Sequence, residues 1–113
     1  MTEAQFKNLK IGDIVVATSC GQKQYYEGKF KVIKFYSSQR DGYEIPEDMR
    51  PLISYSPRFG FYEIYGYPLC VPLNGEKVHI SKYMKRSDIP EERNGTAKLF
   101  YSCKSINLVE EQA

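Results

Sequence analysis

Short runs of β-branched and aromatic residues recur along the chain, and glycine or proline interrupts them at close spacing. Runs of this kind predict strands, and strands so short and so close together are typical of a small barrel or sandwich. The strands predicted from these runs are Ile14–Cys20, Lys29–Tyr36, Leu52–Tyr55, Phe59–Tyr67, Leu69–Leu73, Lys77–Ile80 and Ala97–Cys103. The prolines within Leu69–Leu73 and directly before it predict an edge strand there.

The segment Lys29–Tyr36 has the clearest strand pattern. Alternation places its first two lysines on one side and Phe30 and Val32 on the other. The pattern slips after Val32, because Ile33 is apolar where a polar residue is expected and Lys34 is charged where an apolar one is expected. A β-bulge near Val32 and Ile33 reconciles the two halves, so the sequence predicts one at this point.

Four further segments complete the predicted architecture. Thr2–Leu9 predicts a short N-terminal helix with Thr2 as its cap. Residues 37–57 form a long irregular insertion, and loops of this length in a compact domain are usually functional. Ser87–Gly95 predicts a polar connector, and Ala97–Cys103 adds an extra C-terminal strand. The fold class is therefore mainly β, a small barrel or sandwich with these additions.

Composition is that of an ordinary globular protein. The 113 residues predict a single domain over 1–113, with 42% hydrophobic and 27% charged residues. The N-terminus lacks the basic-then-apolar layout of a signal peptide, and no apolar run reaches the length of a membrane span. We therefore expect a cytoplasmic protein with reduced thiols and no membrane contact.

Two stretches resemble KOW and related SH3-like barrels. Ile11-Gly12-Asp13-Ile14-Val15, a polar loop and then Gly28-Lys29-Phe30-Lys31-Val32-Ile33 are similar to the opening hairpin of these families. His79-Ile80-Ser81-Lys82-Tyr83-Met84 resembles the end of such a barrel, where a short strand runs into one helical turn. The resemblance covers residues 11–33 and 77–84 and implies an SH3-like barrel. It implies no particular function, because a fold of this kind serves many functions.

Catalytic and metal sites are not predicted. The single histidine, His79, lies in the predicted strand Lys77–Ile80 and points opposite to its apolar neighbours, so we expect it to face solvent in a structural or incidental role. Cys20, Cys70 and Cys103 include no closely spaced pair of the kind that zinc sites use, so we expect buried free thiols, no metal and no cofactor. A small-ligand or enzymatic pocket around His79 is the third hypothesis for function.

Basic residues are concentrated on the strand Lys29–Tyr36 and around residues 77–86. With tyrosines interleaved, such residues suit nucleic acid, because lysines contact phosphates and aromatic rings stack on bases. The net charge of only +2 favours instead a solvated surface whose lysines protect strand edges. The residues of this alternative nucleic-acid interface are Lys29, Lys31, Lys34, Arg58, Lys82, Lys85 and Arg86.

Tyrosine is unusually frequent, with ten Tyr against six Phe and no Trp. Tyr is enriched in protein interfaces because it offers apolar area together with a hydroxyl group. Acidic residues in the insertion separate charge along the chain, which suits steering toward a partner. The residues predicted to contact a protein partner are Tyr25, Tyr26, Tyr43, Glu44, Tyr62, Tyr65 and Tyr67.

The leading functional hypothesis is a non-enzymatic interaction module, a small accessory or regulatory protein. It would bind a protein partner or a second copy of itself through the tyrosines and the insertion 37–57, with little sensitivity to salt. The alternative is a nucleic-acid-binding protein that uses the basic residues, and its binding would weaken steeply as salt rises.

Overall fold

The computed structural model describes residues 1–17, 28–37, 43–50, 52–56, 60–64, 66–73, 84–101, 103 and 106–109. The strands are β1 (Ile14–Ala17), β2 (Lys29–Tyr36), β3 (Leu52–Ser56), β4 (Gly60–Ile64), β5 (Tyr67–Pro72), β6 (Lys98–Leu99) and β7 (Ile106–Leu108). The helices are α1 (Glu3–Lys7) and α2 (Pro90–Arg93), with 3₁₀ turns at Glu47–Met49 and Met84–Arg86. Five antiparallel strands form one open sheet in the order β6-β5-β2-β1-β7, and β3 pairs with β4 in a separate hairpin. The described part of the chain is thus mainly β, which confirms this part of the prediction, and its five-stranded sheet is open.

The N-terminal helix forms as predicted, with Thr2 as its cap. The Thr2 hydroxyl accepts from the backbone N–H of Gln5, and the Gln5 side chain accepts from the backbone N–H of Thr2. This reciprocal capping box satisfies donors that a helix start leaves open. The chain then turns at Gly12, whose φ of 101° lies in the left-handed region that glycine adopts at little cost. Gly12 N–H donates to the carbonyl of Val32, which brings the turn alongside β2.

Strand β2 contains the predicted bulge. Its pairing with β5 shifts between Val32 and Lys34, so that Ile33 and Lys34 together oppose Leu69. The extra residue lets both Val32 and Phe35 point to the same side of the sheet. We call that side the front face. The opposite side, which carries the exposed lysines of β2, is the back face.

Strand β5 lies inside the sheet, between β2 and β6, so the edge position predicted from its prolines is wrong. The interior position is tolerated because β6 is only two residues long and pairs with Leu69 and Cys70, which lie between the two prolines. Pro68 contributes its carbonyl, which accepts from the N–H of Phe100. A missing proline N–H therefore breaks no hydrogen bond with β6.

The core is divided between the two faces of the sheet. The front cluster consists of Phe6, Leu9, Val15, Phe30, Val32, Phe35, Ile45, Cys70, Phe100 and Ile106. The back cluster consists of Leu69, Ile89, Ala97 and Leu99, with Ile33, Tyr36, Tyr67 and Val71 packed at its margin. Helix α1 and the insertion thus cover the front face, and the segment around α2 covers part of the back face. The segment predicted as a polar connector contains α2, which begins at Pro90, a favoured first residue of a helix.

Candidate binding surfaces

Arg50 joins the insertion to helix α1 and to the start of β5. Its guanidinium donates to the carbonyls of Leu9 at 2.7 Å, Phe6 at 3.2 Å and Gly66 at 3.3 Å. The same group lies 3.7 Å from the centre of the Phe35 ring. A planar guanidinium with five N–H donors can make all of these contacts at once, which a lysine cannot. Arg50 therefore attaches a segment distant in sequence to the front face.

The neighbourhood of Arg50 is tight and partly desolvated. Burial lowers the pKa of Arg50 to about 10, and the nearby carboxylate of Glu47 opposes this effect. Glu47 also accepts from the backbone N–H of Ile11, which makes a second tie between the insertion and the turn before β1. Gly66 is buried with φ +76°, and a Cβ there would lie 3.1 Å from the Phe35 side chain. Only glycine suits this position without strain.

We define the insertion surface as Ile11, Tyr43, Glu44 and Met49. Three of its members are large apolar side chains that lie in solvent, with exposed fractions of 52% for Ile11, 55% for Tyr43 and 53% for Met49. Their backbone is held in place, because Tyr43 exchanges hydrogen bonds with Ser37 and Glu44 forms an isolated β-bridge with β2. The surface therefore combines fixed backbone with exposed apolar side chains.

A small open pocket lies beside this surface, with a volume of about 140 Å³. Most of its lining residues are polar, and they include Arg50 and Glu47. The volume is below that of typical small-molecule sites, which measure about 300–1,000 Å³. The remaining lining residues are Lys7, Asn8, Leu9 and Lys10.

The tyrosines predicted for a protein interface have different environments. Tyr43 and Glu44 are exposed, as an interface requires, whereas Tyr67 is half-buried and packs against both core clusters. Tyr62 lies in β4, opposite Ser54 of β3. The predictions for Tyr25, Tyr26 and Tyr65 lie outside the described residues.

Two further tyrosines extend Tyr67 into a row that sequence reasoning missed. Tyr36 on β2 is the cross-strand partner of Tyr67 on β5, and the Tyr67 and Tyr101 ring centroids are 4.8 Å apart. Burial is the main reason that the pKa of Tyr36 is raised, with Glu91 and Glu44 adding to the effect and Lys34 opposing it. No local signal marks this row, because it depends on the pairing of strands that are distant in sequence.

The lysines of β2 are divided by the bulge. Lys29 and Lys31 are exposed on the back face, as the alternation predicts. Lys34 also lies on the back face, but its ammonium is 3.6 Å from the Glu91 carboxylate of α2. The structure therefore places all three lysines on the back face and couples Lys34 to an acid.

Lys85 and Arg86 are exposed in the 3₁₀ turn that precedes α2. That turn contacts α2, and residue Ile89 between them belongs to the back cluster. The two cations therefore lie on the same side of the sheet as Lys29 and Lys31. The predictions for Arg58 and Lys82 lie outside the described residues.

The outer edge of β6 carries a buried charge that sequence reasoning also missed. Glu92 of α2 is 0% exposed, and its Oε2 accepts from the N–H of Leu99 at 2.6 Å. The Lys98 ammonium lies 3.8 Å from the same oxygen, and burial lowers the pKa of Lys98. Within the part of the chain that the structure describes, Oε1 of Glu92 has no hydrogen-bond partner. This carboxylate caps an edge N–H that would otherwise be open to another strand.

The thiols of the described residues are free, as expected. Cys70 is fully buried, and burial raises the pKa of its thiol, while Cys103 is partly buried. Within the ranges that the structure describes, no three side chains of His, Cys, Asp or Glu are grouped as a metal would need. The predictions for Cys20 and His79 lie outside those ranges.

Comparison with known proteins assigns no relative. No family of known proteins, no curated protein and no solved structure matches the chain. Among the described helices, none has the length and apolar character needed to cross a membrane.

Proposed function

We propose that the chain is a non-enzymatic interaction module that binds a protein partner through the insertion surface. The observation that carries the proposal is the pairing of exposed apolar side chains with fixed backbone. Ile11, Tyr43 and Met49 are each more than half exposed, while Arg50 and Glu47 tie the segments that carry Ile11 and Met49 to each other. Rigid presentation lowers the entropy that binding must overcome, which favours a specific contact.

The chemistry of this surface favours a protein over a small ligand. Tyr and Met are enriched at the centres of protein interfaces, and the adjacent Glu44 supplies a polar rim. The neighbouring pocket is small and polar, which argues against a drug-sized or cofactor-sized ligand at this place. Because apolar contacts dominate, we expect binding that changes little with salt.

Photochemical cross-linking tests the proposal. A photoreactive phenylalanine derivative placed at Tyr43 or Met49 should give discrete cross-linked protein bands in cells that express the chain. Leu73 is the matched control, since it is 49% exposed and follows β5, away from the insertion. A band at twice the 13.1 kDa mass would identify a second copy as the partner. Equal cross-linking from position 73, or none from 43 and 49, would refute the proposal.

We infer that the sheet curves into a small SH3-like barrel. The support is the short connection from Leu99 to Ile106, which joins strands at opposite edges of the sheet. Four strand spacings of about 4.8 Å place flat edges roughly 19 Å apart, close to the reach of such a connection. In this connection, Phe100 belongs to the front cluster and Cys103 packs against it, so these two residues lie at the front face. Backbone nuclear Overhauser effects between β6 and β7 would test closure.

A further inference from the structure

The back face is covered unevenly. The back cluster lies over the half of the sheet formed by β5 and β6. On the other half, Lys29 and Lys31 are exposed and the aliphatic residues beside them are only half-buried. Leu73, which follows β5, is 49% exposed. This half of the back face therefore presents a mixed basic and aliphatic surface to solvent.

Strand register fixes which side chains surround the two lysines. Lys31 is the cross-strand partner of Ile14 on β1 and of Val71 on β5. Directly paired residues of antiparallel strands share a face, so these three side chains form one row across the sheet. We define the back-face patch as this row together with the one that follows. The second row, across β2, β1 and β7, is Lys29, Val16 and Asn107.

Charge on this patch is positive, and the row of Lys31 contains no carboxylate that offsets it. The cross-strand partners of Lys29 and Lys31 are aliphatic, and the next residue across is the neutral amide Asn107. Lys31 makes no ion pair with a carboxylate of the described residues, in contrast to Lys34 beside Glu91. Lys85 and Arg86 add two exposed cations on the same side of the sheet.

We propose that the back-face patch binds the phosphate backbone of a nucleic acid. A row of lysines attracts a polyanion through release of its counterions, and the Asn107 amide is a donor suited to phosphate or sugar oxygens. The half-buried aliphatic side chains between the lysines provide contacts for sugars. This activity uses the face opposite to the front cover and goes beyond the protein interaction proposed above. Recognition through phosphates is independent of sequence, so no base preference follows.

Fluorescence anisotropy with labelled oligonucleotides tests the proposal. The probes are a single-stranded and a double-stranded DNA of mixed sequence, each titrated with the full chain at 50 mM and 200 mM salt. We expect binding at low salt that weakens about tenfold or more at the higher salt, as a few phosphate contacts produce. The double variant Lys29→Glu/Lys31→Glu should lose at least about tenfold in affinity and should show a shallower salt dependence.

Two controls make each outcome decisive. Lys10→Glu changes an exposed lysine that follows α1 on the front side, so it should bind nearly as well as the unaltered chain. Both variants alter exposed side chains, and equal melting temperatures would show that folding is unaffected. Poly-glutamate is the competitor. Absence of binding at 50 mM salt, equal losses from Lys10→Glu, or equally strong binding of poly-glutamate would each overturn the assignment to nucleic acid.

Discussion

Arg50 on the front side and Glu92 at the β6 edge each attach a covering segment to the sheet through a charged side chain. The Arg50 guanidinium has three backbone carbonyls and the Phe35 ring as partners. The Glu92 carboxylate has one backbone N–H at 2.6 Å and an ammonium at 3.8 Å, and its second oxygen has no partner among the described residues. The charge of Arg50 is thus well supplied with hydrogen-bond partners, whereas that of Glu92 is only partly supplied.

The difference shows how a charge can organise a fold without being a strong source of stability. A charge taken out of water stabilises the folded state only when hydrogen bonds replace its hydration. Arg50 meets this condition through the three backbone carbonyls to which it donates. Glu92 meets it only in part, so its main contribution is to close the edge of β6. Substitutions at the two positions should therefore differ in size and in how they can be rescued.

The largest effect is expected at Arg50. Arg50→Met removes the donors for Leu9, Phe6 and Gly66 and should lower the free energy of unfolding by about 3 kcal/mol. Arg50→Lys should lose less, because it keeps the charge but cannot reach all three carbonyls. Urea unfolding measures both variants. Lys10→Ala, an exposed neighbour, is the control and should stay within about 0.5 kcal/mol. An equally small change for Arg50→Met would remove Arg50 as the anchor of the insertion.

At the β6 edge, substitution of Glu92 should lower the unfolding free energy, and a second substitution at Lys98 should restore part of it. Glu92→Leu leaves the N–H of Leu99 without its acceptor and removes the carboxylate beside Lys98, which should cost about 2 kcal/mol in unfolding free energy. Glu92→Gln should cost less, because its amide oxygen still accepts from Leu99. The double variant Glu92→Leu/Lys98→Met should regain at least about 1 kcal/mol over Glu92→Leu, since it removes the buried ammonium together with the carboxylate. Purely additive losses in a double-mutant cycle would contradict a coupled pair.

In the front cluster, ionisation of Cys70 should make the free energy of unfolding depend on pH, and only at alkaline pH. Burial raises the pKa of this thiol above its ordinary value of 9.0, with Lys98 opposing. Above pH 9 the unfolded chain therefore loses a proton that the folded chain keeps, and stability falls as pH rises. Between pH 9 and 10 the unaltered chain should lose up to about 1.4 kcal/mol more than Cys70→Ala.

In this pH range, the effect of Cys70 on stability can be distinguished from that of Arg50. The lowered pKa of Arg50, about 10 against 12.5, gives the opposite sign, because the folded chain releases the proton first and stability rises with pH above about 10. Guanidinium chloride unfolding at pH 8, 9 and 10 isolates the thiol. Identical slopes for Cys70→Ala and the unaltered chain would show that the thiol is not buried in solution.

Local patterns in the sequence predicted much of the sheet. The slipped alternation of Lys29–Tyr36 predicted the bulge between Val32 and Lys34, because the period of a strand leaves no other way to face both halves inward. The cap at Thr2 was likewise readable from residue type alone. The position of β5 inside the sheet could not be predicted in this way. Prolines exclude a strand from the interior of a sheet only when the neighbouring strand is long enough to need the N–H groups that the prolines lack.

The contacts that attach one segment to another could not be predicted, for a different reason. Arg50 contacts carbonyls 41, 44 and 16 residues away, and a backbone carbonyl has no signature in the sequence. Glu92 is flanked by the charged residues Glu91 and Arg93, so nothing local marks it as buried. Exposed residues were easier to predict, since the alternation of β2 alone placed Lys29 and Lys31 in solvent. Sites built from one strand are therefore predictable from sequence, whereas sites built from tertiary contacts are not.

The smallest effect on stability is expected where the α2 segment meets the back-face lysines. Lys34 and Glu91 form a partly exposed pair at 3.6 Å, and such pairs contribute about 0–1 kcal/mol. Glu91→Gln should therefore change the unfolding free energy by less than about 0.5 kcal/mol. It should nevertheless raise oligonucleotide affinity about two- to threefold at low salt, because it removes a negative charge beside a lysine on the proposed binding side. Glu3→Gln, a carboxylate removed from exposed α1 on the front side, is the matched control for net charge. Equal gains from both variants would mean that overall charge, and not the back face, governs binding.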